Sequence, residues 1–198
     1  GQQLGAPAIR QQAEKFGFNE SVSVPLDSTA SVYPRALDEP QTMLSAFGQS
    51  SVRASPLQMA MVTMAIANGG TLMQPNLVES IVTSDLRVLQ QLQPSVYSQA
   101  ISQATAATMT QMMINAVSNG AGSNARIDGV DVAGKTGTAE NGEGDPYTLW
   151  FTGFAPANDP QVVVAVVVEN GGGLGQEGTG NTVAAPIAKR VLEAVLFR

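Results

Sequence analysis

The 198-residue chain is 43% apolar and 13% charged, a balance typical of a globular domain with a sizeable core. Its 10 Lys and Arg stand against 16 Asp and Glu without a basic cluster, which argues against nucleic acid as a partner. Because histidine and cysteine are absent, a Ser-His-Asp triad, a thiol nucleophile and a His- or Cys-ligated zinc ion are excluded, and we expect no metal site.

The first half of the chain contains two predicted helices. Residues 6–16 are predicted to form the first, with Pro7 in the opening turn, where its missing N–H costs no hydrogen bond. Residues 55–70 are predicted to form the second, with Ser55 as the N-cap and Pro56 at the first helical position. Apolar residues lie on every face of this second helix, so we expect it to be buried all round.

A small hairpin and a third helix are predicted next. Residues 77–83 and 86–92 are predicted to pair across Ser84 and Asp85. Residues 98–117 are predicted to form a long helix. Its core-facing stripe is predicted to be Ile101, Ala104, Thr108, Met112 and Ala116.

The last sixty residues predict strands followed by a closing helix. Segments 147–155 and 161–169 are separated by only five residues, a link that allows an antiparallel hairpin but not a parallel crossover. Residues 162–168 are all apolar, which indicates a strand buried on both faces inside a sheet. Residues 182–197 are predicted to be helical, with a core-facing stripe of Val183, Ile187, Val191 and Val195.

The segment around Lys135 allows three interpretations. Residues 129–136 fit the phosphate-binding pattern G-x-x-x-x-G-K-[ST], which would predict a nucleotide-binding module. That loop must lead into a helix, yet residues 137–146 hold three glycines and a proline, so we expect no helix there. The second interpretation is an ordinary edge strand whose lysine points to solvent.

The third interpretation is based on a resemblance that extends over essentially the whole chain. Residues 135–138, Lys-Thr-Gly-Thr, resemble the Lys-Thr-Gly strand of serine penicillin-binding enzymes. Four further blocks occur in the order and spacing of that family: Phe-Gly-Gln at 47–49, Ser-Pro-Leu-Gln-Met-Ala at 55–60, Ala-Ile-Ala-Asn-Gly-Gly at 65–70 and Trp-Phe-Thr-Gly-Phe-Ala-Pro at 150–156. The chain therefore resembles class B (monofunctional) penicillin-binding proteins, and within them the actinobacterial penicillin-binding protein A branch.

The resemblance implies an α+β fold, the penicillin-binding and serine β-lactamase-like transpeptidase fold, in which helices flank a five-stranded antiparallel sheet. The chain would supply the last three strands, the C-terminal helix and part of the all-helical region. The family's Ser-x-x-Lys is absent, because the residues three before the only lysines are Gln12, Val132 and Pro186, and its Ser-x-Asn is absent too. We therefore expect residues 1–198 to be the C-terminal part of one transpeptidase domain.

The resemblance also implies a function, that of a D,D-transpeptidase which cross-links peptidoglycan through a serine acyl-enzyme and needs no cofactor. Its ligands would be stem peptides ending in D-Ala-D-Ala and β-lactams. Lys135 would be catalytic, and Thr136, Gly137 and Thr138 would bind substrate, with half of the oxyanion hole supplied by the Thr138 N–H. Trp150 would be part of the cleft wall. The alternative within the same fold is a penicillin-sensing or non-catalytic binding domain.

Two expectations concern what lies outside the chain. Without a partner, strand 162–168 would present a bare hydrophobic edge, so we expect a separate chain carrying the N-terminal half to cover it. The family's position is the extracytoplasmic face of the bacterial membrane, with an anchor that lies outside this chain. Two positions depart from the family pattern: Thr148 stands where many relatives have histidine, and Ser50 where many have glycine.

Overall fold

The computed structural model describes residues 1–198, and helices lie against both faces of its largest sheet. The helices are α1 (Gly5–Lys15), α2 (Glu39–Ser45), α3 (Pro56–Ala67), α4 (Gln103–Ser118) and α5 (Ala185–Leu196). The strands are β1 (Thr71–Met73), β2 (Ser80–Val82), β3 (Val88–Gln91), β4 (Val96–Gln99), β5 (Ala133–Ala139), β6 (Thr148–Ala155) and β7 (Val162–Val168). Each predicted helix and strand is present, with ends that differ by a few residues.

The sheet is antiparallel in the order β5-β6-β7, as the short link between the last two strands predicts. Its register places Lys135 opposite Thr152 and Gly137 opposite Trp150. The strand β7 pairs only with β6, so the all-valine-and-alanine segment stands at an edge of the sheet within this chain.

The two faces of the sheet pack against different helices. On one face, Phe151 and Val164 lie in a core cluster with Ala185, Ala188 and Leu192 of α5. On the other face, Phe154 and Ala133 pack with Ile66 of α3 and Met113 of α4. Alternation of side chains along each strand fills both layers, and β6 is therefore the most deeply buried strand.

Helix α3 confirms the prediction of burial on every side. Ser55 caps it by accepting a hydrogen bond from the Gln58 N–H at 3.1 Å, and no residue from Leu57 to Ala67 is exposed. Its most buried members include the polar Gln58 and Thr63, each about 1% exposed. Both are satisfied: Gln58 Nε2 donates to the Phe16 carbonyl at 2.6 Å, and Thr63 Oγ1 donates to the Met59 carbonyl at 2.8 Å.

The predicted stripe of the third helix is wrong. Residues 96–99 form strand β4, which pairs with β1, and α4 begins only after Ser102, whose side chain caps it. The buried residues of α4 are Ala106, Met113 and Val117, whereas Met112 is 61% exposed. Small and apolar residues occur on every side of α4, so the four-residue spacing of apolar residues did not identify the side that packs against the rest of the protein.

The predicted stripe of the closing helix is also on the wrong side within this chain. A π-helical turn, Gly180–Ala184, leads into α5, and Pro186 falls in the first turn as expected. The residues that pack on the sheet are Ala185, Ala188 and Leu192. The predicted stripe remains partly exposed: Ile187 by 43%, Val191 by 42% and Val195 by 38%.

Two features were not predicted. Helix α2 has a capping box in which Asp38 and Gln41 exchange hydrogen bonds, a signal that is visible in the sequence. The pairing of β1 with β4 is the second such feature, whereas the β2–β3 hairpin is present as predicted and exposes Leu86, Val88 and Leu89 by 60–79%. No helix is both long and apolar enough to cross a membrane.

Candidate substrate-binding edge

The Lys-Thr-Gly-Thr segment occupies the outer strand of the sheet. Close packing behind it depends on glycines, since a Cβ at Gly134 would collide with the Phe151 ring and one at Gly153 would lie 2.6 Å from the Ala133 carbonyl oxygen. The first two residues of β5 are buried, and exposure begins at Lys135. The strand therefore enters from the core and presents its second half at the surface.

Two side chains, one from β5 itself and one from the loop after α2, donate hydrogen bonds to carbonyl groups at the open edge of β5. Lys135 Nζ donates to the Thr136 carbonyl oxygen at 2.8 Å, and Gln49 Nε2 donates to the Thr138 carbonyl oxygen at 3.5 Å. The N–H and C=O of one residue in an antiparallel strand point to the same side. The N–H groups of Thr136 and Thr138 therefore also lie along this edge, where no strand pairs with them.

This edge has the electrostatics of a site for an anion or a carbonyl oxygen. Both outward carbonyls are covered by donors, whereas the two N–H groups are open and the ammonium of Lys135 lies beside them. Lys135 is exposed and takes part in none of the three ion pairs of the chain. Charge-assisted hydrogen bonds from an ammonium and aligned amides are strong contacts for a carboxylate.

The side chains of the segment alternate between the two faces. Thr136 and Thr138 share one side; Thr138 is exposed and its Oγ1 accepts from the Gly180 N–H at 3.4 Å. Gly137 lies on the other side, directly across from the half-buried Trp150, where an added Cβ would come within 3.2 Å of the Trp150 Cβ. The structure therefore places Lys135, Thr136, Gly137 and Thr138 on the edge strand β5 and Trp150 beside them on the central strand β6.

Two residues of this region were not among the predicted site residues. Gln49 belongs to a block that carried the family resemblance, but nothing in its sequence neighbourhood indicates contact with a strand 89 residues away. Gly180 supports the strand from behind, since a Cβ there would lie 2.7 Å from the Gly137 carbonyl oxygen. Thr179 caps the helical turn that contains Gly180 and forms a capping box with Thr182.

The nucleotide-binding interpretation is wrong. Lys135 and Thr136 lie within a strand that continues to Ala139, and β6 follows after a loop. A phosphate-binding loop needs the N-terminus of a helix at this point, and the backbone here is extended instead.

Residues 1–193 match the family model described as the penicillin binding protein transpeptidase domain. The chain therefore belongs to the penicillin-binding protein transpeptidase family, and the predicted fold class is confirmed.

Among its relatives, the chain is 38% identical to the peptidoglycan D,D-transpeptidase PbpA of Mycolicibacterium smegmatis, over 99% of this chain and 40% of that protein. It is 33% identical to stage V sporulation protein D of Bacillus subtilis, over 97% of this chain and 31% of that protein. A ceftriaxone acyl-enzyme complex of penicillin-binding protein A from M. tuberculosis superposes with a TM-score of 0.91 at 37% identity, over 98% of this chain and 45% of that chain. The predicted resemblance to actinobacterial penicillin-binding protein A is confirmed, and the chain spans less than half the length of these relatives.

Proposed function

We propose that this chain is the C-terminal part of a peptidoglycan D,D-transpeptidase that cross-links stem peptides through a serine acyl-enzyme and binds penicillin. The observation that supports it most directly is the open edge of β5, with its ammonium, its hydroxyls and its free N–H groups. A stem peptide ending in D-Ala-D-Ala offers an extended backbone and a terminal carboxylate. Both fit a strand edge that carries positive charge.

The site residues then have distinct roles. Lys135 supplies positive charge near the substrate carboxylate and the serine of the family's Ser-x-Asn motif, and Thr136 and Thr138 offer hydroxyl donors to that carboxylate. Gly137 has no side chain, so a peptide can approach the strand closely. The Thr138 N–H is half of an oxyanion hole, and losing one such donor typically costs about 3–4 kcal/mol of barrier. Trp150 forms part of the cleft wall.

The nucleophile is proposed to come from a segment of the longer protein that precedes this one, so that residues 1–198 are one part of a single domain. Support comes from two uncovered apolar features: β7 has no strand on its outer side, and α5 leaves Ile187, Val191 and Val195 partly exposed. A strand added to β7 and a helix laid on α5 would cover them. The relatives' greater length leaves room for both.

The cellular setting is part of the proposal. Peptidoglycan cross-linking takes place on the extracytoplasmic face of the membrane, to which an N-terminal segment outside this chain would anchor the enzyme. The chemistry is acyl transfer by protein groups, so no metal or organic cofactor is assigned to it. A penicillin-sensing domain of the same fold is the second candidate, because acylation by a β-lactam requires the same edge.

A labelling experiment tests the proposal. The chain is produced with the preceding segment as a separate polypeptide, treated with fluorescent penicillin and resolved under denaturing conditions. We expect covalent label on the companion polypeptide and none on this chain. Label on this chain would place the nucleophile within residues 1–198 and refute the proposed division. A cross-linked product from a stem peptide and an amine acceptor supports the transpeptidase, whereas label without product supports the sensor.

A further inference from the structure

The first N–H group of the closing helical segment is bonded to the strand that carries the Lys-Thr-Gly-Thr segment. The π-helical turn Gly180–Ala184 runs directly into α5, so the two form one segment that begins against β5 and β6. The first N–H groups of a helix have no acceptor within it. Gly180 is buried, and its N–H donates instead to Thr138 Oγ1 at 3.4 Å.

The approach of this turn to the sheet requires a glycine. A Cβ at Gly180 would collide with the Trp150 carbonyl oxygen and would lie 2.7 Å from that of Gly137. Trp150 and Gly137 are partners across β5 and β6, so the turn lies directly on the backbone of the strand pairing. A capping box fixes the turn: the Thr182 N–H donates to Thr179 Oγ1 at 3.1 Å, and the Thr179 N–H donates to Thr182 Oγ1 at 3.0 Å.

The bond to Gly180 determines how the Thr138 hydroxyl can act. A hydroxyl group carries one proton and two lone pairs. The Gly180 N–H takes a lone pair on the side of the helix, and no group of the chain accepts the proton. Because Thr138 is exposed, the proton is available to an acceptor outside the chain. The hydroxyl of Thr136, on the same side of the strand, has no hydrogen bond within the chain that would orient it.

We propose that Gly180 is a positioning residue of the substrate site, whose N–H holds the Thr138 hydroxyl so that this hydroxyl donates its proton to the carboxylate of the substrate. This inference depends on the proposed function. A hydroxyl that accepts one hydrogen bond is polarised by it and donates a stronger one. The positive end of the helix dipole lies at the same point and favours the bound anion.

A double-mutant cycle in the full-length protein tests the proposal. We expect Thr138→Val, which removes the hydroxyl, to lower the second-order rate of acylation by penicillin G about 10- to 100-fold, whereas Thr138→Ser should retain most of the rate. Gly180→Ala should lower the rate about threefold to tenfold, because the added Cβ displaces the turn and its N–H from Thr138. In the Thr138→Val background, Gly180→Ala should change the rate less than about twofold.

Penicillin G methyl ester, whose carboxyl group carries no charge, provides a second measurement. A misoriented Thr138 hydroxyl weakens the contact with an anion, so Gly180→Ala should change the rate for the ester less than about twofold. Equal falls for the two drugs would show that Gly180 supports the strand without orienting the hydroxyl, and would contradict the proposal. An effect of Gly180→Ala that is the same with and without the Thr138 hydroxyl would contradict it too.

Thr182→Val is the second variant and keeps the test decisive if Gly180→Ala does not fold. It removes the capping box without adding bulk at Gly180, and we expect the rate for penicillin G to fall about twofold to threefold, only while the Thr138 hydroxyl is present. Thr105→Val, at the corresponding position of α4, is the matched control and should leave both rates unchanged.

Thermal unfolding identifies the variants that fold. Unchanged rates in those variants would contradict the role of Gly180 while leaving the transpeptidase proposal in place. A wild-type protein that penicillin G does not acylate would contradict the proposed function itself, and the role of Gly180 with it.

Discussion

At the scale of single residues, the chemistry of the β5 edge is concentrated in one cation. Lys135 is the only charged residue in the strand, and its ammonium already bonds the neighbouring carbonyl at 2.8 Å in the absence of an anion. The side chain is therefore held at the edge rather than extended into solvent. Three carboxylates follow in the next loop, at Glu140, Glu143 and Asp145, yet none forms an ion pair with it.

We expect Lys135→Ala in the full-length protein to lower the rate of acylation by penicillin G about 10- to 100-fold, because a hydrogen bond to a charged group contributes about 1.5–3 kcal/mol. Lys135→Arg should retain part of the activity, since it keeps the charge but not the compact ammonium. Stopped-flow acylation measures both. Lys15→Ala, at the exposed end of α1, is the control; a Lys135→Ala protein as active as this control would remove the proposed role.

The sequence predicted Lys135, Thr136 and Thr138 as site residues because they are contiguous and carry a family motif. Gln49 and Gly180 could not be identified as parts of the same site by the same means. Their places depend on two turns, one with left-handed residues at Gly48 and Ser50 and one with a π-helical turn after Thr179. These turns bring Gly180 and Gln49 to Thr138, from which they are 42 and 89 positions away in the sequence. Local sequence patterns contain no information about such distant contacts.

At the scale of elements, α3 is attached to the sheet by a buried pair of hydroxyl groups. Thr63 of α3 and Thr152 of β6 are hydrogen-bonded to each other, and because the Thr63 hydroxyl gives its proton to the Met59 carbonyl, Thr152 is the donor of this bond. Thr152 stands directly across from Lys135. The helix therefore helps to fix the strand pairing that carries the lysine.

We expect Thr63→Val to destabilise the full-length protein by about 1 kcal/mol, because one buried hydroxyl loses a partner. Thr152→Val should cost a similar amount. The double variant should cost less than the sum, since two valines pack together without an unsatisfied group. Urea unfolding of the four proteins gives the coupling energy. Strict additivity would mean that the two hydroxyls do not stabilise each other.

The sequence predicted the existence of α3, α4 and α5 well, but predicted their buried faces unevenly. For helix α3 no buried face had to be chosen, because all its sides are apolar and all were predicted to be buried. Helix α5 has two apolar sides, one with alanines and Leu192 and one with larger β-branched residues, and the pattern cannot say which of them meets β6 and β7. The small side faces the sheet, because helix and sheet approach closely there.

At the scale of the whole molecule, the polar and the apolar edges of the sheet lie on opposite sides. One edge, β5, holds the proposed substrate site. The other edge, β7, is apolar, and α5 also leaves an apolar stripe exposed, which consists of Ile187, Val191 and Val195. The resemblance predicted three strands of a larger sheet, and the open edge of β7 is consistent with that prediction.

We expect Val191→Glu to lower the Tm of the full-length protein by several degrees, because a carboxylate buried under the preceding segment without a partner costs about 3 kcal/mol or more. Arg190→Glu introduces the same group on α5 outside the stripe, at an exposed position, and should have little effect. Scanning calorimetry compares the two. Equal Tm values would show that nothing covers the stripe.

The open edge of β7 also bears on the order in which the protein is made. The strand holds seven consecutive valine and alanine residues with no charge or proline to discourage stacking with other chains. Because synthesis proceeds from the N-terminus, a preceding segment would already be synthesised when β7 emerges and could pair with it at once. The N-to-C direction of synthesis would then limit aggregation, because the exposed edge of β7 would be free only between its own synthesis and its pairing with the preceding segment.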